Sequence, residues 1–277
     1  MSTRQPDRKQ IAPSQGRALF GDDPAGYDVG RPDYPERVYR LLVERCGLGP
    51  GCRVLEVGAG TGRATRRIAA HHPARIVAIE PDARLARRLR SALPDTDRIT
   101  LIEEPFEDAV LPAASFDLAV SATAFHWIEQ RPGLERMASL LRAGGWWAAW
   151  WTLFGDPENP DAFLQAAQPL LDDLMTGPSH SVHDKRPFAL DVERRLADLA
   201  ETGGFEPAAV ELIRWTAQFD TARLRALYAT FSTVSVLGAE EQGRILGELV
   251  RLAESEFGGL VERNLVTAVY TARRRAQ

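Results

Sequence analysis

Between Arg53 and Arg67 the chain reads RVLEVGAGTGRATRR, a short apolar run that carries Glu56 and then turns through Gly58, Gly60 and Gly62 into a helix-like segment. Turns of this kind present backbone N–H groups and a helix N-terminus to a ligand. A dinucleotide fingerprint spaces its glycines G-x-G-x-x-G and seats a pyrophosphate there. Here the spacing is G-x-G-x-G, and Arg63 fills the third-glycine position. A phosphate-binding P-loop needs a lysine followed by serine or threonine, and neither is present. Glu56 stands two residues before the first glycine, where a carboxylate repels a pyrophosphate and attracts an ammonium. The turn predicts a ligand with a positive group beside it and no phosphate there.

S-adenosyl-L-methionine has that character, with an ammonium, a sulfonium, a ribose and an adenine. Eighteen positions after Gly62, Glu80 ends a second apolar run in AIEPD. A carboxylate at that place can accept both ribose hydroxyls. Asp82 competes with it for the cap of the following helix. Methyl transfer from a sulfonium is an in-line displacement, so alignment and exclusion of water supply most of the catalysis. A base is required only for a protonated nucleophile; a carboxylate needs none. His126, after the fourth predicted strand, stands where the carboxyl-end crevice of such a sheet opens. With an ordinary pKa of about 6.5 it is a candidate base; alternatively, it orders the loop together with Trp127.

These residues require a particular frame. RVLEV, RIVAIE, ITLIEE, FDLAVSATA and WWAAWWTLF read as strands, separated by helical segments at Ala64–His71, in DARLARRLRSAL and in GLERMASLLRA, the last closed by Gly144 and Gly145. A further helix, Pro35–Cys46, precedes them. Alternating strands and helices with near-continuous apolar strands predict a doubly wound α/β sheet. Strand alternation places Trp147 and Trp151 on one face, Trp146 and Trp150 on the other, with Trp151 nearest the crevice. After Phe154 come helices, a strand in AAVELIRWTAQF, two more helices and a closing strand in NLVTAVYTARR. The expectation is a Rossmann-like, mostly parallel seven-stranded sheet with a helical cap insertion. Its parts are a flexible segment 1–26, a core 27–153, a cap 154–208 and a C-terminal part 209–277 that completes the sheet.

Composition sets the class. The 277 residues are 44% hydrophobic and 26% charged, enough apolar content for a sizeable core. A net charge of −4 argues against nucleic acid or an anionic membrane as partner. There is no apolar run of about 18 residues and no apolar signal segment at the start, so the expectation is a cytoplasmic protein, monomer or homodimer. Cys46 and Cys52 read as thiols in a reducing compartment. His180, His183, Asp184 and Lys185 lack metal-ligand spacing and read as a solvated loop, so no metal is expected.

Four segments in order, VLEVGAGTGRAT, AIEPD, EEPFEDAVLPAASFDLAVSATAFHWIE and LLRAGGWWAAWW, resemble the motifs of class I S-adenosylmethionine-dependent methyltransferases. YDVGRPDYPERVYRLL and FHW are similar to small-molecule enzymes of the methyltransferase type 11, trans-aconitate methyltransferase-like group. The resemblance implies that Glu56 meets the methionine ammonium and that Gly58, Ala59 and Gly60 pass beneath the cofactor. It puts Glu80 on the ribose, Pro81, Phe106 and Glu107 around the adenine, and Ser121 and Ala122 near the methionine. Tyr27, Arg31 and Tyr34 fall where the family places an N-terminal lid. Arg31 there can pair with the cofactor carboxylate, Tyr27 can face the sulfonium or the acceptor, and Tyr34, Trp127 and Trp151 are candidate substrate contacts. The expected activity is methylation of a small organic acceptor on O, N or C. A non-catalytic cofactor-binding protein and a nicotinamide-dependent oxidoreductase are the alternatives.

Overall fold

The computed structural model describes residues 23–93, 97–171, 174 and 186–276. Its frame is one seven-stranded sheet: β1 (Arg53–Val57), β2 (Arg75–Ile79), β3 (Ile99–Ile102), β4 (Phe116–Ala122), β5 (Leu141–Leu153), β6 (Ala209–Asp220) and β7 (Leu260–Arg273). The order across the sheet is β3-β2-β1-β4-β5-β7-β6. The first five strands are parallel, and β7 runs antiparallel to both β5 and β6. The order reverses at β1, so β1 and β4 part their loops there and open the crevice typical of doubly wound sheets.

The central strands β1, β2 and β4 are buried on both faces because they are apolar at nearly every position, whereas the edge strand β6 is exposed or half-buried along most of its length. Leu55, Val57, Ala119, Trp147 and Trp151 face one core. Val54, Leu118, Val120, Ala148 and Trp150 face the other, with Trp146 packed against it. The two tryptophan pairs therefore divide as strand alternation requires. Each fully buried leucine or isoleucine here contributes about 1.5–3 kcal/mol relative to exposure. Cys46 and Cys52 are buried free thiols in the second core, and burial pushes both well above the usual thiol range.

Helix α1 (Pro24–Gly30) starts three residues inside the stretch expected to be flexible. Proline opens it and the Asp23 carboxylate accepts the Gly26 N–H, so its first turn is capped. A Cβ on Gly30 would stand 2.4 Å from the Leu227 nitrogen, so only glycine lets α1 lie against the later helix at that point. Helices α2 (Glu36–Glu44), α3 (Arg63–Ala69), α4 (Ala83–Ala92) and α5 (Gln130–Leu140) follow. The Gly144–Gly145 pair does not close α5. β5 already begins at Leu141, and its register against β4 shifts between Phe116 and Leu118. Gly144 takes φ +71°, and a Cβ on Gly145 would lie 3.1–3.2 Å from the Asp117 and Phe116 carbonyls, so the two glycines form an irregularity inside the strand.

Beyond β5 lie α6 (Ala162–Leu171), α7 (Val192–Glu201), α8 (Thr221–Ala229), a short α9 (Ser232–Ser235) and α10 (Ala239–Phe257). The α9 turn has no counterpart in the expected elements. A third core, with Phe163, Phe219, Leu227, Tyr228, Leu249 and Leu265, joins these helices to β6 and β7. At its centre Arg263 is fully buried, its Nε 3.0 Å from both Asp161 oxygens. The Tyr228 hydroxyl accepts from its Nη1 and the Phe154 carbonyl from its Nη2. The expected loop at His180, His183, Asp184 and Lys185 lies outside the described residues, as does most of the N-terminal segment. Among the described residues no helix is long and apolar enough to cross a membrane.

Candidate active site

A cavity of about 440 Å³ opens at the carboxyl ends of the central strands. Tyr27, Arg31, Gly58, Gly60, Glu80 and Pro81 line it. So do Phe106, Glu107, Ala122, His126, Trp127 and Trp151, which brings most of the sequence-predicted residues to one wall. Glu56, Ala59, Ser121 and Tyr34 lie off it. The Ser121 hydroxyl donates to the Val57 carbonyl at 2.9 Å and ties β4 to β1. Ala59 is buried in the core behind the turn. Tyr34 reaches the cavity only through its hydroxyl contact with Thr123 Oγ1, at 3.1 Å.

The glycine turn is shaped by close approach. The Gly58 and Ala59 N–H groups donate to the Ile79 carbonyl, which folds the turn over the end of β2. Gly58 has φ +74°, and a Cβ there would stand 2.3 Å from the Ala124 Cβ. Gly60, at φ +58°, has no atom within 4 Å of where a Cβ would point and lies on the wall, so its missing side chain leaves room for a ligand.

Two carboxylates differ sharply in how they are satisfied. Glu80 Oε2 accepts the Gly60 N–H at 2.8 Å and Oε1 accepts the Asp82 N–H at 2.9 Å. Burial pushes its carboxyl up to about 7, and the two amides pull the other way. Asp82, not Glu80, caps α4, accepting the Arg84 N–H. Glu56 is fully buried, and neither of its oxygens has a hydrogen-bond partner among the described residues. Burial pushes it up to about 8; the Thr65 hydroxyl, beside it but outside hydrogen-bonding geometry, and Arg66 pull down. An unsatisfied buried acceptor costs about 1–3 kcal/mol, so Glu56 is a group that a cation would relieve. The orphaned carboxylate, the open cradle at Gly60 and the carboxylate closing β2 together fit S-adenosylmethionine.

The other half of the cavity is aromatic. The Trp151 Nε1–H donates to His126 Nδ1 at 2.9 Å, and the His126 ring lies 4.8 Å from Trp127 and 5.9 Å from Phe188. Burial pushes His126 down to about 3, with the Arg31 charge acting in the same direction. Arg31 donates to the Thr230 hydroxyl and carbonyl, at 2.8 and 3.3 Å. Its guanidinium stacks within 4.7–5.7 Å of the Tyr27, Phe154 and Phe231 rings. Among the described residues it forms no salt bridge with a carboxylate. Phe106 is both wall and core, packed on Phe125 under the Arg136 guanidinium.

Phe154, Phe188, Phe231 and Thr230 are the wall and support residues that sequence reasoning did not single out. Each follows or opens a cap or C-terminal element. No local motif marks them; only the late aromatics beyond the fifth strand could have drawn notice. No group of histidine, cysteine, aspartate or glutamate among the described residues could hold a metal ion.

The sequence profile of the family described as a methyltransferase domain matches residues 54–145. An uncharacterized methyltransferase of Schizosaccharomyces pombe is 25% identical over 259 residues, covering 91% of this chain and 96% of that protein. An uncharacterized methyltransferase of Mycobacterium bovis is 34% identical over 128 residues; the match covers 46% of this chain and about half, 49%, of that protein. Among solved structures, a putative type II methyltransferase from Anaeromyxobacter dehalogenans superposes with a TM-score of 0.60 at 20% identity, over 88% of this chain and 97% of that one. The domain match, the relatives and the fold support a class I S-adenosylmethionine-dependent methyltransferase.

Proposed function

We propose that this enzyme methylates a small, largely apolar organic molecule, with the cofactor along the glycine turn and the acceptor in the aromatic half of the same cavity. The observation that carries the reading is the continuity of the wall from Gly60 and Glu80 to His126, Trp151 and Phe188. It brings a donor and an acceptor into one water-poor space, where alignment does most of the work.

In this reading Glu56 faces the cofactor ammonium, directly or through water, and Gly58, Ala59 and Gly60 form the floor. Glu80 holds the ribose, Pro81, Phe106 and Glu107 border the adenine, and Ala122 and the backbone at Ser121 flank the methionine. Arg31 pairs with the cofactor carboxylate, supported by its freedom from any carboxylate among the described residues and its fixed stacking. When bound, the cofactor supplies an activated methyl group; the chain's own residues align it, exclude water and present the acceptor. Tyr27, Trp127 and Trp151 bound the acceptor, and Tyr34 acts at one remove through Thr123. The protein would act in the cytoplasm, on a small molecule rather than on nucleic acid or a membrane surface, as a monomer or homodimer.

The test is calorimetry with S-adenosylhomocysteine and with NAD. Binding of the former with a dissociation constant on the order of micromolar, and none of the latter, is expected. The reverse preference would sink the reading.

A further inference from the structure

Trp151, inside β5, and His126, in the turn after β4, meet because those strands are neighbours in the sheet. An indole N–H is a donor and never an acceptor, so the 2.9 Å bond makes His126 Nδ1 the acceptor. A neutral imidazole whose Nδ1 accepts carries its proton on Nε2. Nε2 has no protein partner among the described residues, and the ring lies on the cavity wall. Protonating Nδ1 would break the Trp151 bond and put a second positive charge near Arg31, in a box of Trp127, Trp151 and Phe188. The acids on the wall among the described residues are Glu80 and Glu107, and both lie on the β2–β3 side. Neither acid stands beside His126 to pair with an ammonium there.

We propose that Trp151 locks His126 as an Nε2–H donor, and that this donor holds an acceptor whose reacting oxygen arrives already deprotonated, as a carboxylate does. The inference rests on the methyltransferase reading and narrows it to O-methylation of an apolar acid. The acceptor oxygen forms its new bond to the methyl carbon as the carbon–sulfur bond breaks, and that bonding pair stays on sulfur. The charges of oxyanion and sulfonium cancel, and no proton moves. His126 is then a hydrogen-bonding residue in direct contact with the acceptor, not a base. Trp151 is a positioning residue that acts through it.

The first test does not depend on turnover. In ¹⁵N-histidine NMR of the full chain, with and without S-adenosylhomocysteine, His126 should show a protonated Nε2 and an unprotonated Nδ1 from pH 5.5 to 8. An imidazolium that titrates in the ordinary histidine range, or a proton on Nδ1, overturns the proposal. Trp151→Phe keeps an aromatic wall and removes the donor, so His126 should begin to titrate within that window. An unchanged His126 spectrum in Trp151→Phe also counts against the lock.

The second test uses three aromatic probes of one skeleton, ending in a carboxylic acid, a primary amine or a primary alcohol, with radiolabelled methyl donor. Transfer to the acid alone, with a rate flat between pH 6 and 8, is expected. Trp151→Phe should lower kcat/KM for the acid by about tenfold, with the S-adenosylhomocysteine dissociation constant moved less than about twofold. His126→Gln, which retains an N–H donor but cannot serve as a base, should keep more of the rate than His126→Ala. Preferential transfer to the amine or alcohol, or His126→Gln as inactive as His126→Ala, overturns the proposal. Transfer to none of the three also overturns the acceptor class. The methyltransferase reading stands or falls separately, on binding of S-adenosylhomocysteine.

Discussion

The Thr61 hydroxyl donates to the Asp28 carboxylate at 2.6 Å, joining the glycine turn to helix α1. Asp28 also accepts from Arg88 at 3.0 Å, and its carbonyl accepts from Arg63 at 2.8 Å. At the other end of α1, Arg31 is fastened to Thr230 after α8. One short helix therefore clasps the turn on one side and the C-terminal helices on the other, across the cavity that Tyr27, Arg31 and Thr61 line. Side-chain bonds thus hold α1 in place beside the cavity.

Asp28→Ala should release the turn side of that clasp. The expected loss in S-adenosylhomocysteine affinity is about 1–2 kcal/mol, seen mainly as faster dissociation. The melting temperature should fall modestly as well, because the Asp28 side chain is only 17% exposed and faces both Arg63 and Arg88. Stopped-flow binding checks this; wild-type dissociation kinetics in a folded variant would show that the lid does not retain the cofactor.

The Arg263–Asp161 pair makes a stability prediction. Arg263 is fully buried and its paired carboxylate is Asp161, so Asp161→Ala strands a charge in the third core. Breaking one side of such a pair costs about 3–5 kcal/mol. Arg263→Met with Asp161→Ala should recover part of that loss, since no ion is then left unpaired. Denaturant unfolding of the single and double variants tests it, and equal destabilisation in both would refute the account. Because the Phe154 carbonyl is among the partners, the single variant should also loosen the cavity wall at Phe154.

Glu56 predicts a pH effect whose sign can be fixed. Burial raises its carboxyl to about 8 in the folded chain, above its unfolded range of about 4.3. The folded state then holds the proton more tightly, so this group's contribution to stability falls as pH rises from the unfolded value through about 8. Glu56→Gln removes the titration, and its stability relative to wild type should rise steadily between pH 5 and 8. If the cofactor ammonium is what relieves Glu56, binding at pH 7 should also release a proton. Calorimetry in buffers of different ionisation enthalpy should register that proton for wild type and not for Glu56→Gln. Identical proton counts would separate Glu56 from the ammonium.

The parallel core and the division of the tryptophans were legible because strand alternation and apolar continuity are local signals. The Gly144–Gly145 pair misled for a physical reason: two glycines after a helix resemble a cap, whereas here they relieve carbonyl crowding between β4 and β5. The places of Glu80, Gly58 and Gly60 on the wall could be read from spacing, since one strand-turn-helix-strand unit carries them all. The partner of His126 could not, because the 25-residue separation from Trp151 is closed only by strand pairing. Phe154, Phe188 and Phe231 were hidden more deeply, since their role arises where cap and C-terminal elements meet the crevice. Hydrophobic period marks a residue as buried and does not say whether its neighbour is core or cavity.

Glu80 needs a test that separates binding from folding. Its carboxylate accepts the Gly60 and Asp82 amides, so Glu80→Ala removes the proposed ribose ligand and strands two backbone donors. The cofactor dissociation constant should rise by about 1–3 kcal/mol. The ligand-free melting temperature should fall as well, because an unpaired buried N–H carries its own penalty. Glu80→Gln keeps an acceptor for one of the two amides and cannot ionise, so its melting temperature should fall less than that of Glu80→Ala while ribose binding still weakens. A competition between S-adenosylhomocysteine and its 2′-deoxy analogue decides the role. Wild type should prefer the ribose form by about 1–2 kcal/mol, and that preference should collapse in Glu80→Gln. A preference that survives in the variant would place the ribose away from Glu80 and leave its carboxylate as a brace for the glycine turn.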